Sequence, residues 1–241
     1  MIQSLVPTMQ AQWHRHEVLA NNLANVSTTG FKQDDLMLTP VGAQPSPGAS
    51  AVPGMAPVGL QALAQWTDFS QGPVRETGRG LDVALNGPGF FVVQTPQGSR
   101  YTRAGAFAVS REGYLVTASG FQVLGQGGPI TIRSSQVSVS AQGEVQDGGR
   151  TVDTLRVVDF GKPYRLTKEG DGLFVPADPT VAPGRAEGYQ VVGGAVEESN
   201  VNPVRTMVEM IEMLRRYETA QRAIQAEDET NKYAANDMGR V

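Results

Sequence analysis

The chain has 241 residues, 20 Lys and Arg against 24 Asp and Glu for a formal net charge of −4, two His and no Cys. Mild acidity without a clustered basic run excludes nucleic acid as a principal partner, because phosphate binding needs grouped Lys and Arg to release counterions. The lack of cysteine excludes a disulfide framework, a thiolate nucleophile and Cys-ligated zinc, while 28 Gly and 15 Pro point to many short strands and turns.

The first element carries Ile2, Val6, Met9, Trp13, His16, Ala20 and Leu23 at spacings of 4, 3, 4, 3, 4 and 3, a heptad seam that predicts a helix in need of a partner. Pro7 places the regular start at Leu5 to Pro7, since proline suits only a first turn. The helix is expected to stop near Ser27, where Ser-Thr-Thr-Gly supplies turn chemistry. Pro40 to Gly59 holds five Pro and four Gly, a composition that fits an extended arm or loop.

From Trp66 to Val196 the pattern is that of strands. Leu81, Val83 and Leu85 alternate, Phe90 to Val93 is a buried-strand run, and Tyr114 to Val116 follows a turn at Glu112-Gly113. Short strands with frequent turns fit a sandwich or an irregular barrel. The last element has Asn202 as N-cap, Pro203 at the first helical position, and no further glycine until Gly239. Val204, Met207, Val208, Ile211, Leu214, Tyr217 and Ile224 form one stripe, while Glu212 with Arg216 and Glu218 with Arg222 are favourable i,i+4 pairs. The stripe weakens after Glu227, where fraying is expected. Both termini are expected to be largely disordered in the free monomer and to fold when neighbouring subunits bury their stripes.

The chain offers no catalytic, cofactor or metal residues. His14 and His16 point about 200° apart on a helix, and no third His completes a site with Glu17. His16 reads instead as a polar register residue on the seam. Gly125-Gln126-Gly127-Gly128-Pro129 lacks the spacing of a phosphate cradle and reads as a turn. Asp82, Glu112, Asp147, Asp153 and Asp159 sit beside turn residues without converging. The longest apolar run, Phe90 to Val93, falls far short of the roughly 20 residues of a membrane span, so no membrane insertion is expected. Met1 to Asn25 lacks the basic start and apolar block of a cleaved signal.

Asn21-Asn22-Leu23-Ala24-Asn25-Val26-Ser27-Thr28-Thr29-Gly30-Phe31-Lys32 resembles the N-terminal signature of bacterial flagellar axial proteins, the rod, hook and hook-associated subunits. Leu81-Asp82-Val83-Ala84-Leu85-Asn86-Gly87-Pro88-Gly89-Phe90-Phe91, Tyr101-Thr102-Arg103-Ala104-Gly105 and Gly113-Tyr114-Leu115-Val116-Thr117 resemble the β-domain motifs of rod and hook members. Glu198-Ser199-Asn200-Val201-Asn202-Pro203-Val204 and Met207 to Tyr217 resemble the C-terminal signature. Short length and a single β domain point to the rod branch. Gly127-Gly128-Pro129-Ile130-Thr131 and Leu214-Arg215-Arg216-Tyr217-Glu218 look more like the proximal than the distal rod. Distal members carry an inserted stretch where the Pro40 to Gly59 arm lies, which keeps the distal alternative open.

The resemblance implies an α+β fold whose N- and C-terminal helices form a coiled-coil core, with a central all-β domain of short strands outside it. The expected organisation is a helix over 1–30, an arm over 31–65, a β domain over 66–196 and a helix over 197–241. It implies a structural subunit, not an enzyme, that assembles with copies of itself and other rod proteins to transmit motor torque to the hook. Export through the flagellar type III apparatus to a periplasmic rod is implied as well. The expected interface comprises Val6, Met9, Trp13, His16, Ala20, Asn22, Leu23, Asn25, Val204, Met207, Ile211, Leu214, Tyr217 and Ile224. A competing expectation is a soluble β-domain adhesin or carbohydrate-binding module that displays Trp66, Phe69 and Tyr101 as surface aromatics.

Overall fold

The computed structural model describes residues 2–40, 61–134 and 136–238. The Pro40 to Gly59 arm therefore lies, from residue 41 onward, outside the described residues. The chain divides into two units, one of Met1–Ala24, Asp34–Asp68 and Asn202–Val241, the other of Asn25–Gln33 and Phe69–Val201.

The first unit holds two helices, α1 (Ile2–Ala24) and α2 (Pro203–Met238), and two strands, β1 (Asp34–Pro40) and β2 (Gln61–Thr67). The α1 backbone is helical from Ile2, earlier than Pro7 suggests: a proline removes one i to i−4 bond, and the helix passes through that gap. At the other end α2 continues to Met238, past the weakening of its stripe. Neither helix is long and apolar enough to cross a membrane. Strands β1 and β2 pair antiparallel from Asp34 opposite Thr67 to Pro40 opposite Gln61. The Pro40 to Gly59 stretch assigned by composition to an arm is thus flanked by the two strands of a ribbon. Asp34 to Thr39 contains Leu36, Met37 and Leu38 between acidic residues and a proline, too short a run for periodicity to register.

The second unit is antiparallel β throughout. Its largest sheet runs in the order Leu166–Gly170, Leu173–Pro176, Gly98–Thr102, Phe90–Thr95, Gln122–Val123, Leu115–Val116, Ala108–Val109, with Val157–Asp159 also paired to Phe90–Thr95. Smaller ladders join Val83–Asn86 to Gln190–Gly193 and Val74–Glu76 to Ala195–Glu197. Phe90–Thr95 is buried on both faces, which explains its unbroken apolar run. Phe91 and Val93 enter one core cluster with Val83, Leu85, Leu115 and Val123, while Phe90 and Val92 enter a second with Tyr101, Phe160, Leu166 and Phe174. Phe69 and Tyr164 close the second cluster, with ring centroids 5.4 Å apart and each edge-on to Phe90.

This packing removes two of the three surface aromatics expected of a binding module. Tyr101 is buried and Phe69 is packed against Phe90 and Phe174; Trp66 alone of the three is exposed. Gly30, at φ +67°, ends the turn after α1, and a Cβ there would stand 2.3 Å from the Ala104 backbone nitrogen, so glycine is required on both counts.

Candidate assembly surface

Helix α2 starts as its sequence dictates. The Arg205 amide donates to Asn202 Oδ1 at 3.1 Å, and Thr206 returns both its amide and its hydroxyl to the Asn202 carbonyl. One turn on, Arg205 Nε donates to Glu209 Oε1 at 2.8 Å, a pairing that raises the guanidinium pKa.

The helix then has two unlike faces. Thr206 and Met213 are buried and Glu209, Met210 and Tyr217 are half-buried, on the side that meets α1 at Gln12 and Arg15. Val204, Met207, Val208, Ile211 and Leu214 lie on another side, displaced roughly a third of a turn, and remain 45 to 70 % exposed. The chain packs its mixed face inward and leaves its richest apolar face in solvent. On α1, Leu19 and Asn22 are buried, His16, Ala20 and Leu23 are half-buried, and Trp13 is 57 % exposed. Trp13 stacks on His16 with centroids 5.9 Å apart and donates from Nε1 to Glu17 Oε1 at 3.0 Å; His14 Nδ1 lies 3.1 Å from Glu17 Oε2. The two histidines thus face different partners, as their 200° separation requires.

Of the fourteen expected interface residues, Trp13, Val204, Met207, Ile211 and Leu214 are therefore open to a partner chain. Asn22 is not. It is 4 % exposed, its Nδ2 donates to the Asp34 carbonyl at 2.7 Å and its Oδ1 accepts from the Asp34 amide at 2.9 Å, so it clamps α1 to β1 within the chain. Asn25 is also used internally, accepting from the Thr28 amide and hydroxyl at 3.1 Å in the turn that follows α1. The side chains of Val6, Met9 and Ile224 lie outside the described residues. Leu19 and Met213, both buried, fall off the heptad seam and the apolar stripe, and the sequence marks them only as apolar. Beside α1, Glu17, Val18, Asp34 and Leu36 line an open groove of about 500 Å³ against β1. Among the described residues no three His, Cys, Asp or Glu side chains gather as a metal site.

Three family models match the chain: a flagella basal body rod protein model over residues 2–32, a flagellar hook protein FlgE/F/G D1 domain model over 84–147, and a flagellar basal body rod FlgEFG protein C-terminal model over 192–238. The flagellar basal-body rod protein FlgF of Caulobacter vibrioides is 37% identical over 93% of this chain and 92% of its own length. The chain belongs to the flagellar basal-body rod protein family. A FlgG of Buchnera aphidicola is 34% identical over 92% of this chain and 93% of its own, and the FlgF of Salmonella typhimurium is 32% identical over 93% and 92%. Within the rod family models, the N-terminal match spans α1 and its following turn, and the C-terminal match spans the last strands and α2.

Proposed function

We propose that this chain is a structural subunit of the flagellar basal-body rod, not an enzyme, and that it joins copies of itself and related rod subunits through the outward faces of its terminal helices. The observation that carries this reading is the exposure of Val204, Met207, Val208, Ile211 and Leu214 along one face of a 36-residue helix. Five large apolar side chains in a row exceed what an isolated helical surface presents to water, and burying them at about 2 kcal/mol each supplies a strong drive to associate. Repeated along a helical array, α1 and α2 faces form the coiled-coil core, where interlocked side chains resist sliding and so carry torsion. That is what transmission of motor torque to the hook requires.

The sequence motifs favour the proximal segment of the rod, with the distal segment as the second reading. The family's flagellar type III export route and a periplasmic destination accompany this assignment. Electron microscopy of basal bodies purified from cells that carry a tagged copy tests it: density for the tag along the proximal rod is the expected result, and its absence from the rod overturns the reading. Export is checked separately by loss of the protein from the periplasm when the flagellar export apparatus is disabled.

A further inference from the structure

Asn86-Gly87 is the one place in the sequence where glycine follows asparagine. The pair is chemically labile, because glycine has no side chain to shield its nitrogen from the preceding carboxamide. The reaction balances within the chain and water. The Gly87 nitrogen bonds to Asn86 Cγ, its proton leaves with the Asn86 amide as ammonia, and the succinimide that remains takes up water to open as aspartate or isoaspartate.

The fold sets this pair at a strand end and pins it there. Asn86 is the exposed last residue of Val83–Asn86 and lies opposite Gln190 in the ladder with Gln190–Gly193. Gly87 admits no bulkier, less reactive neighbour: it sits at φ +109°, and a Cβ there would stand 2.7 Å from the Gly188 carbonyl oxygen and 3.1 Å from Tyr189 Cα. Gln71, 16 positions before Gly87 in the chain, closes on both residues. Its Oε1 accepts the Gly87 N–H at 3.1 Å, the hydrogen that the reaction must remove. That bond fixes which end of the Gln71 amide is oxygen, so Nε2 donates to the Leu85 carbonyl at 3.3 Å and to Asn86 Oδ1 at 3.4 Å. The Gly87 carbonyl is tied as well. It accepts from Arg103 Nη2 at 2.9 Å, and Arg103 Nη1 reaches Glu197 Oε2 at 3.3 Å, a buried carboxylate whose other oxygen takes the Lys32 ammonium at 2.5 Å.

We propose that Asn86-Gly87 is a deamidation site that the native fold holds closed, and that Gln71 is its guard. One side-chain amide holds both reacting groups, the nitrogen by its hydrogen and the carboxamide by its oxygen, so attack on Cγ needs a local opening that frees the two together. In the unfolded chain neither is held. Deamidation at Asn86 therefore accumulates with the time the chain spends outside its native state and slows once the β unit has closed. An isoaspartyl link lengthens the backbone by a methylene at the junction that Gln71 and Arg103 hold, so it disturbs the end of Val83–Asn86 most. The inference concerns the β unit alone and is independent of the assembly reading.

Peptide mapping by mass spectrometry of the full chain, incubated in mildly alkaline buffer, tests it. Native wild type should deamidate at Asn86 about tenfold more slowly, or slower still, than the same chain unfolded in guanidinium chloride. Gln71→Ala, a change at an exposed side chain, should raise the native rate by about tenfold, while exchange of the Val83 amide, bonded to the Gly105 carbonyl, stays at its wild-type rate. Equal native rates in wild type and Gln71→Ala overturn the guard. So does a gain in Gln71→Ala matched by an equal gain in Val83 exchange, which is general loosening of the unit. Native wild type that deamidates as fast as the unfolded chain overturns the closed site itself.

Discussion

Met213 is 4 % exposed and Leu214, the next residue on α2, is 45 % exposed. One helical step separates a side chain that holds the helix pair from one that the pair leaves outside. The two substitutions should therefore have opposite signatures. Met213→Ala should cost the isolated subunit about 2 kcal/mol, the scale of truncating a buried side chain. Leu214→Asp should leave its stability within about 0.5 kcal/mol and abolish rod assembly. Urea unfolding followed by far-UV circular dichroism reads the first effect, and swimming assays with microscopy of basal bodies read the second. Normal motility with Leu214→Asp removes the apolar face of α2 from the assembly surface.

The Asn22 clamp gives a second prediction. Its side-chain amide both donates to and accepts from the Asp34 backbone, so Asn22→Ala removes two buried hydrogen bonds. The expected loss is about 2 to 4 kcal/mol of subunit stability. Asn22→Asp should be at least as damaging, because a carboxylate oxygen would replace the donor that faces the Asp34 carbonyl. Amide exchange at Asp34 provides the local readout: unchanged protection in Asn22→Ala would mean that the clamp does not hold β1.

The contrast between Asn22 and the α2 stripe shows what was legible in the sequence. The helices, the cap at Asn202, the doubly buried strand at Phe90 and the apolar stripe of α2 all follow from local pattern, because each depends on periodicity or on chemistry within a few residues. The roles of Asn22, Lys32 and Glu197 do not. Asn22 acts on a residue 12 positions away and Lys32 on one 165 positions away, and a polar side chain in a signature motif gives no sign of whether it faces a partner chain or its own backbone. The heptad seam of α1 is visible, yet the buried Leu19 lies beside it, and on α2 the buried Met213 lies off the apolar stripe, because the richest apolar face is left exposed. The ribbon of β1 and β2 has no such local signal, because its strands flank a Pro- and Gly-rich stretch and Leu36-Met37-Leu38 shows no alternation.

The hydroxyl of Tyr164 donates to Asp159 Oδ1 at 2.9 Å, within the aromatic cluster around Phe90. Burial first, and then the bond to Asp159, pushes the phenol up to about 12. An unfolded tyrosine ionises near 10. Between about pH 10 and 12 the native state keeps this proton and the unfolded state releases it, so stability is complete below that window and falls as pH rises through it. Tyr164→Phe should flatten the alkaline decline of the unfolding midpoint while leaving a residual slope from Tyr101, whose phenol burial also raises. An identical decline in wild type and Tyr164→Phe contradicts the assignment.

Charge is divided unevenly between the two units. The segments that make up the helical unit carry seven Lys and Arg against eleven Asp and Glu, and those of the β unit carry thirteen of each, so the whole net charge of −4 belongs to the unit with the exposed apolar face. Association of such faces brings like charge together. At low salt this repulsion acts over tens of ångströms, whereas at about 0.2 M it is confined to roughly 7 Å, so screening should favour assembly while leaving apolar contacts intact. Sedimentation of the purified subunit between about 0.02 and 0.2 M NaCl should show association that strengthens with salt. Neutralising Glu212 and Glu218 together with glutamine should reproduce part of that gain at low salt. Association that weakens as salt rises would mean that specific ion pairs, not the apolar face of α2, dominate the contact between copies.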